Sequence, residues 1–330
     1  MGSFLRSLSP EQQVSLMFVL LFGLLLIASG AGVLLSLRER QHADDHTGDR
    51  AQRLHDYQAL LRNSWLMTLV FWVGWAAGES VAIVLFGLVS FFILREFISL
   101  SPTRRGDHRS LVLAFFIVLP LQYALVWNER FNLFTVFIPV YVFLAIPVVS
   151  ALGNDPQRFL ERNAKLQWGI MVCIYGMSHV PALLMLKFPG YDHRNAFMVF
   201  FLVLVVQFCM AVQHLVSRKL KLPPAAPAIS MSFNWPSWWI GVFSASLFGA
   251  LLAGITPWVP GTAFAFSFIA CVAGTMGHFV MKALKRDRGI PSWGGNMRAV
   301  TGAGGLLDRV DALCFAAPVF FHSARWYFDL

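Results

Sequence analysis

Residues 64–99 read SWLMTLVFWVGWAAGESVAIVLFGLVSFFILREFIS, with Glu79 as the one charged residue between Trp65 and Leu94. A single helix over Trp65–Leu94 would be about 45 Å long at 1.5 Å per residue. The hydrocarbon core of a bilayer is only about 30 Å thick. A tight turn at Ala77-Gly78-Glu79-Ser80 resolves the conflict by giving two spans, Ser64–Gly78 and Ser80–Ser99. The same criterion, about 20 mostly apolar residues, finds seven more: Val14–Leu37, Ser110–Trp127, Asn132–Leu152, Leu166–Leu186, Ala196–Val216, Trp238–Ile255 and Thr262–Ala283. The tail Ala312–Phe321 is apolar but too short to span, so it is expected to be re-entrant or packed on the bundle. The fold class is therefore all-α: a polytopic integral membrane helix bundle of about nine transmembrane helices.

Composition agrees. Of 330 residues, 57% are hydrophobic and 13% charged, and the mean hydropathy is +0.62. Soluble domains carry about 25% charged residues, so this chain cannot cover a soluble surface. Collagen, disordered, disulfide-scaffold and nucleic-acid-binding classes are excluded as wholes, and nucleic acid is not expected as a partner. The reading is one membrane domain over 1–330. It has N-terminal spans at 14–99 with a cytoplasmic linker at 38–63, central spans at 110–216, and a C-terminal part at 217–330.

The formal charge of +9 is unevenly placed. With the N-terminus outside, the inside segments begin at Arg38, Arg95, Gly153, Ser217 and Lys282. They hold 21 Lys and Arg residues, against four outside (Arg6, Arg130, Lys187 and Arg194), with Arg325 in the tail unassigned. That is the bias expected of cytoplasmic loops facing anionic lipid. Val14–Leu37 is too long and too poorly flanked for a cleaved signal peptide. Cys173, Cys209, Cys271 and Cys314 lie in apolar stretches without a C-x-x-C pair and read as small buried residues.

Outside loops are short, so a soluble substrate is expected to be handled from the inside. Arg38–Arg62 mixes Asp44, Asp45, Asp49 and Asp56 with five arginines and with His42, His46 and His55. His42 and His46 could share a helix face as metal ligands, although a solvated juxtamembrane helix accounts for the same pattern. Ser217–Pro236 is Pro-rich and reads as an extended linker. Trp235, Trp238 and Trp239 after it read as an interface belt.

The densest stretch is Lys282–Asp311, read as a cytoplasmic loop and lying within MKALKRDRGIPSWGGNMRAVTGAGGLLDRVDAL (281–313). Its glycines let backbone approach a ligand closely. Asp308 and Asp311, three apart, fall on one helical face and could hold a hard divalent cation, with basic residues clamping phosphates. This gives a nucleotide or phospholipid-phosphate site at the cytoplasmic membrane face. A basic interfacial loop capped by an Asp–Arg ion pair is the competing reading. A transporter is disfavoured because charged residues are almost absent from the spans.

The stretch resembles the C-terminal signature of the phosphatidate cytidylyltransferase (CDP-diacylglycerol synthase) family. Lys285-Arg286 match its Lys-Arg, and Gly304-Gly305-Leu306-Leu307-Asp308-Arg309-Val310-Asp311 match its last block. Ala316–Phe321 is similar to the segment that follows. Arg95-Glu96-Phe97 and Ser178-His179 agree more loosely. The resemblance implies a nucleotidyltransferase of phospholipid synthesis that joins CTP and phosphatidate to CDP-diacylglycerol and pyrophosphate, with Mg2+ as cofactor. It implies Asp308 and Asp311 as catalytic and metal-binding; His278 could itself ligate a softer metal, or be a packed or hydrogen-bonded residue near a helix end. Lys285, Arg286, Arg309, Gly304 and Gly305 would bind phosphate. It places the chain in a bacterial-type inner membrane, with CTP, phosphatidate or another phospholipid, and the bilayer as partners.

The sequence departs from the signature at several positions. His278 stands where the family has Asp, Lys282 where it has Ser, Pro291-Ser292 where it has Lys-Asp, and Ala303 where it has His. Cys209-Met210 replace its Asn-Asp, and Ser230–Gly241 carries no lysine or acid. Two readings follow: a cytidylyltransferase with a reorganised site, or a non-catalytic relative that binds lipid phosphate or serves as a partner subunit. A homo-oligomer or a membrane partner protein is the associated expectation.

Overall fold

The computed structural model describes residues 9–41, 61, 65, 68–101, 103–191, 194–294 and 305–330; structural statements here refer to these. His42, His46, His55, Gly302 and Gly304 lie outside them. The elements are α1 (Pro10–Gln41), a short helix α2 (68–76), α3 (Glu79–Ser99), α4 (Arg105–Trp127), α5 (Phe131–Ala151), α6 (Phe159–Met185), α7 (Asn195–Leu220), α8 (Trp235–Ile255), α9 (Pro260–Arg288) and α10 (Leu307–Phe328). Eight of these helices are long and apolar enough to cross a membrane.

The chain divides into two units, Met1–Ala82 and Ile83–Leu330. In the first, the rings of Phe71 and Trp75 each lie 5.3 Å from Phe18, and Trp65 Nε1 donates to Ser29 Oγ at 3.0 Å. Rising numbers on α1 thus meet falling numbers on α2, as in an antiparallel hairpin. The expected break falls at Ala77-Gly78. Gly78 has φ +89°, the left-handed backbone that glycine adopts without Cβ strain, and α3 starts at the next residue.

The second unit sorts its loops onto two ends. At one end Arg162 lies 2.8 Å from Asp107 and 2.7 Å from Asp155, joining the first turn of α4 to the loop that precedes α6. At the other, Lys187 pairs with Glu129 at 2.7 Å and Arg325 Nη2 donates to Asn132 Oδ1 at 3.0 Å. The basic segments beginning at Arg95 and Gly153 thus share one end.

Prolines shape α4–α6. Wide π-turn segments occupy Ala114–Val118, Phe137–Val142 and Ile170–Gly176. Pro120, Pro147 and Pro181 would each clash with the carbonyl four residues earlier. That carbonyl belongs to Phe116, Phe143 or Met177, inside or just after a wide turn, where the altered winding relieves the clash.

The expectation for the tail is corrected. Of the two alternatives the packed one holds and the re-entrant one does not, and the segment is longer than expected: α10 is a 22-residue helix running from the Asp308 end to the Asn132 end. Asp308–Asp311 and Arg325 extend the apolar Ala312–Phe321 on both sides, so counting apolar residues alone understates its length. It sits deep in the bundle. In α6, its neighbour, 78% of the apolar window is buried, against 50% or less in every other span. Close backbone approach makes this possible. A Cβ on Gly176 would lie 2.3 Å from the carbonyl oxygen of Cys314, and one on Gly277 would lie 2.1 Å from the Phe315 ring. In lipid, where apolar burial gives little drive between helices, such small-residue contacts are a main source of association. Gly176→Ala is therefore expected to destabilise the bundle by about 1–3 kcal/mol, seen as a lower thermal midpoint in detergent. Gly30→Ala, with nothing within 4 Å of the added carbon, should leave the midpoint unchanged.

Candidate functional site

The site is built where α3, α9 and α10 end or begin together. Glu96, in the last turn of α3, accepts the backbone N–H of Leu306 on Oε1 at 3.0 Å and that of Leu307 on Oε2 at 2.9 Å. The first N–H groups of a helix have no partner within it, and a carboxylate there also meets the positive end of the helix dipole. One acidic side chain thus fixes where α10 starts. Phe97, buried beside it, packs on the buried ring of Trp293 at 5.3 Å. Gly305, with φ +80°, turns the chain into the helix.

Asp308 and Asp311 are each met by a nitrogen donor from α9. Lys285 Nζ donates to Asp308 Oδ1 at 2.5 Å, and the Trp293 backbone N–H donates to Oδ2 at 2.7 Å. Asp311 is 1% exposed. His278 Nδ1 donates to its Oδ2 at 2.8 Å, and the Ala312 N–H to its Oδ1 at 2.6 Å. A carboxylate can only accept, so Nδ1 carries the proton. Lys285 and Gly305 therefore lie together at Asp308, whereas Arg286 is exposed.

These contacts bear on a metal. Mg2+ demands octahedral oxygen ligation and is usually held through carboxylates, waters and substrate phosphates. All four oxygens of the two aspartates already accept hydrogen bonds, two of them from cation-forming side chains. Among the described residues no group of three or more His, Cys, Asp and Glu stands together to hold a metal ion. From residue 163 onward the only acids in the sequence are Asp192, Asp287, Asp308, Asp311 and Asp329. The donor set does not fit Mg2+.

Beside His278 a cavity of about 210 Å³ opens between α7, α9 and the linker 221–234, with His214 and Lys282 in its wall. The linker is not simply extended. Ala225 N–H donates to Phe233 O at 2.8 Å, Ser217 Oγ to Ser232 O at 2.6 Å, and Asn234 caps α8 by accepting the Ser237 N–H at 2.9 Å. Sequence reasoning missed the helix-capping role of Glu96 and the placing of His214 and Lys282 on one cavity. A lone acid at the end of an apolar span was the available signal for the first. Nothing local signals the second, because 68 positions separate the two residues in the chain.

Comparison with known proteins agrees with the signature. The cytidylyltransferase family matches residues 58–327. An Escherichia coli protein described as uncharacterized, YnbB, is 30% identical over 268 residues, 81% of this chain and 86% of that protein. A phosphatidate cytidylyltransferase of Mycobacterium leprae is 36% identical over 100 residues, 29% of this chain and 30% of that protein.

Removing the Glu96 carboxylate leaves two N–H groups unpaired at the start of α10. Glu96→Ala is expected to cost about 1–2 kcal/mol, read as a lower unfolding midpoint. It should also raise the hydrogen-exchange rate of the Leu306 and Leu307 amides. Unchanged exchange at those two amides would remove the capping role.

Proposed function

The chain belongs to the cytidylyltransferase family, and from that membership we propose that it is a multi-pass membrane protein that binds a phosphate-bearing lipid of the phosphatidate class without carrying out metal-dependent nucleotidyl transfer. The observation that carries this reading is the occupation of both signature carboxylates: Asp308 by Lys285, Asp311 by His278. Phosphoryl-group chemistry needs positive charge on the transferring phosphate, which metal ions supply in the usual arrangement. Here the acids that would recruit the metal are neutralised from within. The basic residues Lys285, Arg286 and Arg309 belong to this stretch and are the proposed hosts of a lipid phosphate, Lys285 being shared with Asp308. The Lys and Arg bias of 21 to four supports a cytoplasmic placement of that end, in a bacterial inner membrane. Such a protein would serve as a lipid-binding subunit, as a homo-oligomer or beside another membrane protein.

A second reading keeps the family reaction, CTP and phosphatidate giving CDP-diacylglycerol and pyrophosphate. The partial relative named phosphatidate cytidylyltransferase and the retained Gly305–Asp311 block favour it.

One assay separates the two. Full-length protein in detergent, given CTP, phosphatidate and Mg2+ or Mn2+, is expected to release no pyrophosphate above empty micelles. It should still retain phosphatidate in EDTA. Metal-dependent release that disappears in Asp308→Asn and Asp311→Asn would replace this proposal with the enzymatic reading.

A further inference from the structure

The cavity between α7 and α9 has a wall that is basic and polar throughout its charged positions. None of its ten lining residues is acidic, while His214, His278 and Lys282 all face it, with Gln213, Ser230 and Ser232 as neutral donors. Its volume of about 210 Å³ is well over ten times the roughly 15 Å³ that lodges one water. Asp311 is buried beside His278 and accepts from its Nδ1. That bond fixes the ring, points its proton at Asp311, and leaves Nε2 as the nitrogen for a ligand. Thr275 contributes no free donor, since it accepts from Trp238 Nε1 at 2.8 Å and donates to Cys271 O at 2.6 Å.

Two of the three cation-forming residues are departures from the family signature: His278 in place of an acid and Lys282 in place of a serine. Both changes move charge in the same direction. The first replacement removes a negative charge and the second adds a positive one, and His214 faces the same space from the other helix. We propose that this cavity binds a phosphate monoester group directly, with Lys282 supplying positive charge from the protein and His214 and His278 lining the site from the two facing helices as hydrogen-bonding partners. Charge-assisted hydrogen bonds to phosphate oxygens are the strong kind, and a cavity at a helix end beside the bilayer admits either a lipid headgroup or free phosphate. The inference rests on the proposed reading that the protein binds lipid phosphate without metal, and it names the site of that binding.

The test uses the full-length protein in detergent with EDTA, titrated with short-chain phosphatidate and separately with inorganic phosphate, with binding read by calorimetry. Lys282→Gln and His214→Gln are each expected to weaken binding about tenfold, whereas Lys282→Arg should keep it. Binding of phosphatidate alone identifies a lipid headgroup as the ligand. Binding of both shows that the phosphate suffices, and each result supports the site. Should Lys282→Gln fail to fold, His214→Gln, on the exposed side of α7, carries the test by itself. Phosphatidate binding unchanged in both variants but lost in Lys285→Gln with Arg309→Ala overturns the cavity and leaves the proposed function standing. Absence of any binding in EDTA overturns both.

Discussion

The two hydrogen bonds from Leu306 and Leu307 to the Glu96 carboxylate set the register on which the rest of this end of the molecule depends. A helix start has several unpaired N–H groups, and at a membrane face each needs a partner. By supplying both oxygens, Glu96 fixes the first turn of α10. That turn presents Asp308 to Lys285 and, one residue short of a full turn later, Asp311 to His278. The same α3 terminus packs Phe97 on Trp293, so the loop that leads into the turn is anchored by an apolar contact and the turn itself by a polar one.

Burial then decides the chemistry of the acids. A nearly inaccessible carboxylate such as Asp311 is costly unless paired, and the chain provides a partner from its own α9. Pairing by removable ions and pairing by fixed side chains satisfy the same electrostatic need but leave different capacities. A metal brings open coordination positions to a substrate. A lysine or an imidazole brings only its own donors. The neighbouring cavity, lined by Lys282, His214 and His278, opens beside this pairing.

Much of the fold was legible in the chain. The apolar runs, the break at Gly78 and the loop charges located eight of the long helices, because in a bilayer backbone polar groups must be satisfied within each helix and span length is fixed by membrane thickness. The tail was misjudged for a related reason. Asp308, Asp311 and Arg325 looked like the ends of an apolar segment, yet they continue α10, where His278, Lys285 and Asn132 meet them. Hydropathy scores a charge against lipid and has no means of scoring it against a partner supplied by another helix.

The sequence by itself determined the all-helical membrane class and the family membership announced by Gly304–Asp311, since each depends on composition or on residues close together in the chain. Only the tertiary structure decided what the retained aspartates do. Whether a carboxylate waits for a metal or is held by a cation depends on which side chain lies within about 3 Å of it. For Asp311 and Asp308 those side chains are 33 and 23 positions away, brought into reach by the glycine contacts that seat α10 against α6 and α9.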